Sequence, residues 1–268
     1  MRRPLRALRR RLRGAIRRAT APLEPIVGEG TSSGHKGLYE MLRHVIPNDH
    51  TRQVTSAYYV QKVLEDGRGA LCVLDLGCGD GRSIDLFRRM DPEVSWTGVD
   101  IESSPEVDER ARTDGTFVTF DGVNLPFEDG SFDVAYSHQV FEHVRRPEPL
   151  LREVARVLRP GGAFIGSVSS LEPYHSFSYW SFTPFGWYTL VEDAGMTVRE
   201  LRPGIDGIAL VQRHYRARPP ESRGWFASSP LNEEIDEWGR RTRRRPALIN
   251  LRKLQYCGHL AFEARKAR

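Results

Sequence analysis

The stretch Val73-Leu74-Asp75-Leu76-Gly77-Cys78-Gly79-Asp80-Gly81-Arg82-Ser83 constrains this chain more than any other. An apolar run of strand length ends in a turn with glycine at every second position. An amphipathic pattern follows, with Ile84, Leu86, Phe87 and Met90 predicted on one helix face and Asp85, Arg88 and Arg89 on the other. Glycine lets the chain turn at positive φ and lets a ligand lie against bare main chain. A strand, a glycine turn and a helix N-terminus together form a nucleotide-type site at the carboxyl edge of a parallel sheet.

The spacing narrows the ligand. A dinucleotide loop reads G-x-G-x-x-G/A, whereas here it reads G-x-G-x-G, and Arg82 stands where the third dinucleotide glycine would be. Asp75, two residues before the first glycine, would repel a pyrophosphate but suits an ammonium group. Both features favour S-adenosylmethionine (SAM), which is cationic and lacks phosphate, over NAD. The bland reading, an ordinary tight turn with Cys78 merely filling the loop, loses weight because later motifs fall at matching intervals.

A second strand, Val94 to Val99, ends at Asp100, which is 19 residues beyond Gly81 and placed to accept from a ribose. Thr116 to Phe120 reads as a third strand, followed by Asp121-Gly122, whose carboxylate could accept from the exocyclic amine of adenine. Gly130 turns the chain into a fourth strand that reaches Ser137. Glu142-His143-Val144 precedes a helix marked by Leu150, Leu151, Val154, Val157 and Leu158. That helix stops at Arg159-Pro160-Gly161-Gly162, and Ala163 to Val168 reads as a fifth strand.

These pieces together resemble the class I SAM-dependent methyltransferases, in the branch similar to quinone and small-molecule methylases. The resemblance covers about residues 71–170 and rests on LDLGCGDGR, GVDIE, TFDGVNLPFEDGSFDVAYS, FEHV and LREVARVLRPGG. It implies an α/β, Rossmann-like fold: a seven-stranded, mostly parallel sheet, helices on both faces and the last strand reversed. It further implies that Asp75, Gly77, Cys78, Gly79 and Gly81 hold the methionine end. Asp100 and Ile101 would lie at the ribose, Asp121 and Gly122 at the adenine, with Ser137 and His138 lining the methyl-transfer side.

Charge divides the chain. Residues 1–20 hold nine arginines and no acid, residues 21–202 hold 17 basic and 28 acidic residues, and residues 203–268 hold 14 and 7. An acidic central body argues against a nucleic-acid substrate gripped across the site. The arm carries Leu5, Leu8, Leu12 and Ile16 on one helix face. It lacks an apolar signal core and, though arginine-rich like a transit peptide, has no serine in its first 20 residues. It suits either peripheral docking on an anionic membrane or a solvated tail. No apolar run is long enough to span a bilayer. Three cysteines, Cys72, Cys78 and Cys257, without metal spacing point to a reducing, cytoplasmic setting.

The expected organisation is a basic arm (1–20), a helical lid region (21–69), the SAM-binding core (70–204), a helical insertion (205–254) and a closing strand with the C-terminus (255–268). In the lid region, Leu38, Met41, Leu42 and Val45 share a face, and Thr51 could cap a second helix carrying Val54, Tyr58, Val63 and Leu64. Within residues 172–188, eight of seventeen are Phe, Tyr or Trp, which predicts either an acceptor wall or loop packing against the sheet. The insertion bears a basic cluster at Arg240, Arg241, Arg243, Arg244 and Arg245, a solvated face or a second anionic contact.

Methyl transfer from a sulfonium is an in-line displacement in which the protein mainly positions the reactants. His138 and His175 are the candidate general bases, and His143 reads as packing or capping. The spacing shows no metal site. The expected acceptor is a small molecule, a glycan or a lipid-linked group, methylated at oxygen. Two alternatives stand beside this reading: an NAD(P)-dependent oxidoreductase, and a non-catalytic SAM-fold protein docked on a membrane. Sequence does not decide the oligomeric state.

Overall fold

The computed structural model describes residues 33–65 and 71–268, so the arginine arm and residues 66–70 lie outside the described residues. The chain forms two compact units, Met1–Met41 and Leu42–Arg268. Of the first, the structure describes most of a helix, α1 (Ser33–Leu42). The second unit holds the sheet and the site.

That unit opens with α2 (Ser56–Glu65), β1 (Cys72–Leu76), α3 (Ser83–Met90) and β2 (Ser95–Asp100), then a single turn α4 (Pro105–Asp108) and β3 (Thr116–Thr119). β4 (Phe132–His138) leads through a 3₁₀ turn (Phe141–His143) to α5 (Pro147–Val157), β5 (Leu158–Ser169), α6 (Pro184–Asp193) and β6 (Met196–Pro203). Between β6 and β7 (His259–Lys266) lie α7 (Gly207–Tyr215), a 3₁₀ segment (Pro220–Phe226), α8 (Pro230–Arg241) and α9 (Pro246–Leu254).

The seven strands run in the order β3-β2-β1-β4-β5-β7-β6. β7 is antiparallel to both neighbours, and the other pairings are parallel. The strand order reverses between β1 and β4, and at such a point the loops after two strands part and leave a crevice at the carboxyl edge.

Alternation along the strands builds two cores. On one face, Val60 and Val63 of α2 and Ile84 and Phe87 of α3 pack with Val73, Tyr136 and Ile165. On the other, Trp187 of α6 is fully buried, its ring 5.2 Å from Phe141, 5.1 Å from Phe182 and 4.9 Å from Phe262. Helices therefore cover both faces.

Three local expectations shift. Met90 and Met41 are exposed: the buried stripe of α3 ends one turn earlier, at Phe87, and at the end of α1 Leu42 rather than Met41 turns inward. Thr51 and Val54 precede α2 rather than cap or fill it. The Val54 amide instead donates to the Pro203 carbonyl. The Gln53 side chain is held by Ser229 and Asn232 of the insertion, so tertiary bonds keep this segment extended. β5 begins at Leu158, directly at the end of α5, and takes Pro160 and both glycines into the strand. Its pairing with β4 is irregular between Phe132 and Val134, and Gly161, at φ +78°, supplies a backbone turn that a side-chain-bearing residue would adopt only with strain.

Candidate functional site

A cavity of about 960 Å³ opens where the strand order reverses. Among the sequence-predicted residues, Gly77, Gly79, Asp100, Ile101, Asp121, Gly122 and His138 line it.

The floor is backbone. Gly77 and Gly79 adopt φ +70° and +50°. A Cβ at Gly77 would strike Val140 at 2.4 Å, so this turn requires glycine. The Gly77 amide donates to Val99 O at 2.8 Å, tying the turn to β2. Asp100 at the end of β2 accepts from the Gly79 amide at 2.7 Å and from the Ile101 amide at 2.8 Å. These bonds fix the carboxylate against the turn and leave lone pairs for a ligand. Burial raises its pKa, although both amides pull the other way.

Asp75, Cys78, Gly81 and Ser137 do not form the wall. Asp75 is buried in the second layer, where it accepts from the Ser83 hydroxyl, which in turn accepts from Trp96 Nε1 at 2.9 Å. Burial, aided by the negative charge of Asp100, pushes its pKa up to about 7. The strand period explains this placement: Asp75 points into the sheet face covered by α3, while the turn beyond it meets the cavity. The Cys78 thiol is packed against Gly98, and burial raises its pKa. Gly81, at φ +82°, admits Phe117 and Arg112 where a Cβ would sit within about 3 Å of both. Ser137 is fully buried and its hydroxyl has no partner among the described residues. Asp121 lines the cavity but already accepts from the Val123 and Asn124 amides and from Asn124 Nδ2, at 2.6–2.8 Å. Its first role is to hold its own turn.

His138 forms the partition between this cavity and a second one of about 390 Å³, lined by Val54, Ala57, Ile205 and Phe226 among others. The ring is enclosed by protein yet shows accessible surface, because that surface faces the two cavities. Burial pushes its pKa down to about 4, with a further contribution from His259. Its Nδ1 lies 3.0 Å from Ser56 Oγ and 2.8 Å from Ser167 Oγ, and Ser56 Oγ also meets the Tyr136 hydroxyl at 2.8 Å.

The aromatic stretch splits its roles. Phe182 and Trp187 are core, whereas Phe177 and Tyr179 line the large cavity. The segment is stitched down by the Tyr179 amide on Glu142 O at 2.7 Å and by Trp180 Nε1 on Val144 O at 2.9 Å. His175 stands behind this wall, its Nδ1 donating to Pro173 O at 3.2 Å. It meets His143, which does line the cavity, edge to face at 5.2 Å. Burial lowers the His143 pKa, and His175 adds to that effect. Sequence reasoning read His143 as packing and saw no metal spacing. The fold brings Glu142, His143 and His175 together, with one ligand-type atom from each within 4.8 Å of the others. Arg145 and Arg146 at the mouth, and Glu106 beside Gly79, were also missed. Only the loop geometry shows that they face the site.

The wall fits SAM rather than a dinucleotide. Gly77 and Gly79 present bare backbone to the cavity, and Asp100 and Glu106 surround that spot with negative charge. Ile101, Phe120 and Val123 offer an apolar slot beyond the acid.

Comparison with known proteins agrees. Residues 74–166 match the family described as a methyltransferase domain. That match covers about a third of the chain. It is 36% identical over 118 residues to phthiotriol/phenolphthiotriol dimycocerosates methyltransferase of Mycobacterium tuberculosis, covering 42% of this chain and 42% of that protein. It is 40% identical over 98 residues to an uncharacterized methyltransferase of Mycolicibacterium gilvum, covering 34% and 36%. The chain thus spans well under half the length of these curated relatives. Among solved structures, a SAM-dependent methyltransferase from Mesorhizobium loti superposes with a TM-score of 0.50 at 19% identity, covering 79% of this chain and 98% of that one. The [4+2]-cyclase SpnF superposes at 0.51 and 18% identity, covering 87% and 92%. The methyltransferase fold is therefore shared by a protein whose name gives a different reaction, and the fold by itself does not settle the chemistry.

Proposed function

We propose that this protein transfers a methyl group from SAM to a small-molecule, glycan or lipid-linked acceptor, at oxygen. The observation that carries this reading is one cavity with two kinds of wall. Bare glycine backbone and Asp100 stand on the β1–β2 side, and His138, Phe177 and Tyr179 on the β4–β5 side. Asp100 and Ile101 would hold the ribose, Gly77 and Gly79 the methionine end, and Gly122 would border the adenine. SAM supplies the electrophilic methyl on its sulfonium, so the chain's task is alignment and proton handling.

His138 is the favoured positioning base. At neutral pH its ring is uncharged, and two serine hydroxyls fix its orientation. It can accept a hydrogen bond from an acceptor hydroxyl and take the proton as the new bond forms. His175 reaches the cavity only through His143 and the Ser176–Phe177 wall. The apolar second cavity beside His138 would take the acceptor's body, and Arg145 and Arg146 at the mouth suit an anionic portion. Peripheral membrane docking through residues 1–20 remains part of the proposal. Among the described residues, no helix is long and apolar enough to cross a membrane, and Tyr174, Phe177 and Trp180 are exposed.

Titration calorimetry with SAM, S-adenosylhomocysteine and NAD tests the cofactor. Binding of the first two and not the third is expected, and the reverse overturns the reading. A mass-spectrometric screen for metabolites gaining one methyl group identifies the acceptor. Sedimentation with anionic liposomes, with and without residues 1–20, checks the arm, and equal sedimentation removes it from the proposal.

A further inference from the structure

We infer that Glu142, His143 and His175 form a binding site for a divalent transition-metal ion of the zinc class, at the acceptor-side wall of the cavity. One donor atom from each lies within 4.8 Å of the other two. A tetrahedral ion with bonds of about 2.0–2.2 Å holds its ligand atoms roughly 3.4 Å apart, so side-chain rotations that close the cluster by about 1.4 Å complete the set.

Two further observations point to a ligand. Glu142 is fully buried; its Oε1 accepts a hydrogen bond from Ser169 Oγ at 2.9 Å, while its Oε2 has no partner among the described residues. A buried, unpartnered carboxylate oxygen is costly unless a cation or proton meets it. The His175 imidazole, in turn, is anchored as metal ligands usually are: its Nδ1 donates to Pro173 O at 3.2 Å, which fixes the tautomer and leaves Nε2 with its lone pair. The His143 ring meets it edge to face at 5.2 Å.

The donor set selects the ion. Two imidazoles and one carboxylate suit zinc, cobalt or iron(II), whereas magnesium and calcium favour all-oxygen sets. Three protein donors leave a coordination position free, and His143 places that position at the cavity wall. Resting on the methyltransferase reading above, an ion there would draw in an acceptor hydroxyl and make its proton easier to lose. The acceptor class this favours is a free hydroxyl, whose oxygen the one open position can take.

Cobalt(II) titration of the full chain, followed by visible absorption, tests the site. The expected result is a one-to-one tetrahedral-type absorption band that zinc displaces and magnesium does not. His175→Ala and Glu142→Gln should each weaken binding at least tenfold. His175→Ala should keep S-adenosylhomocysteine affinity within about twofold, which shows that the variant is folded. No band, or a band indifferent to both substitutions, overturns the site. Loss of S-adenosylhomocysteine binding by the unsubstituted chain overturns the methyltransferase reading instead, and cobalt binding then stands or falls separately.

Discussion

The two walls of the cavity are held by different means. On the β1–β2 side the contacts join the ends of two adjacent strands through main-chain donors: the glycine turn bonds to Val99, and Asp100 clasps the Gly79 and Ile101 amides. On the β4–β5 side the wall is made of side chains from distant segments. His138 is set by Ser56 and Ser167, and the aromatic stretch is stitched to Glu142 and Val144. A cofactor common to many enzymes needs an unvarying cradle, and backbone provides one. An acceptor particular to one enzyme needs a wall that side chains can reshape.

If that contrast holds, damage to the aromatic core should cost fold stability but spare the cofactor. Trp187→Ala removes a fully buried indole wedged among Phe141, Phe182 and Phe262. A loss of about 3–5 kcal/mol is expected in urea melts. SAM affinity in the surviving folded fraction should change less than threefold, and a larger change would break the division between the walls.

Asp75 gives the next effect through pH. Its folded pKa, about 7, stands above the ordinary aspartate value of 3.8. The folded state therefore holds this proton longer, and stability present at low pH is lost as pH rises from about 4 to 7. At 1.36 kcal/mol per unit the upper figure is about 4 kcal/mol. Asp75→Asn should flatten that part of the profile, so the apo variant gains on the parent chain as pH rises, measured by melts at pH 5, 6, 7 and 8. It should also weaken SAM binding above pH 7, where the parent carboxylate is charged and complements the cation.

Asp100→Ala should raise the SAM dissociation constant about a hundredfold, because a charge-assisted acceptor is lost and two amides are left unpaired. Calorimetry measures it, and unchanged affinity would move the ribose site elsewhere. The smallest effect is expected at Ser56→Ala, which removes the hydroxyl shared by Tyr136 and His138. A cost of about 1 kcal/mol is expected, with SAM binding intact. NMR of the His138 ring should show titration near pH 4 in the parent chain. Titration near 6.5 would mean that the ring is far wetter than its enclosure implies.

Much of the first wall was legible in the chain itself. Asp100, Gly77, Gly79 and Gly122 could be placed because each follows a strand whose length and apolar run are local properties. Asp75 was legible as part of the motif but not as a second-layer residue, since its distance from the cavity depends on how α3 covers β1. The second wall was harder to read. His143 looked like packing, and its meeting with His175 across 32 positions leaves no mark in spacing. The aromatic stretch could be flagged by composition alone, yet which rings enter the core and which face the cavity followed from where Glu142 and Val144 bind it.

Sequence alone thus determined the strand–turn–helix unit, the acid that ends β2 and the preference for a cationic cofactor. Each depends on residues within about one turn or strand of one another, where backbone geometry leaves few choices. Tertiary structure decided which histidine opens onto the cavity, how the insertion and residues 51–55 brace each other, and the convergence of Glu142, His143 and His175. Those outcomes depend on side chains from separate segments competing for the same buried space, and the packing of the whole sheet settles that competition.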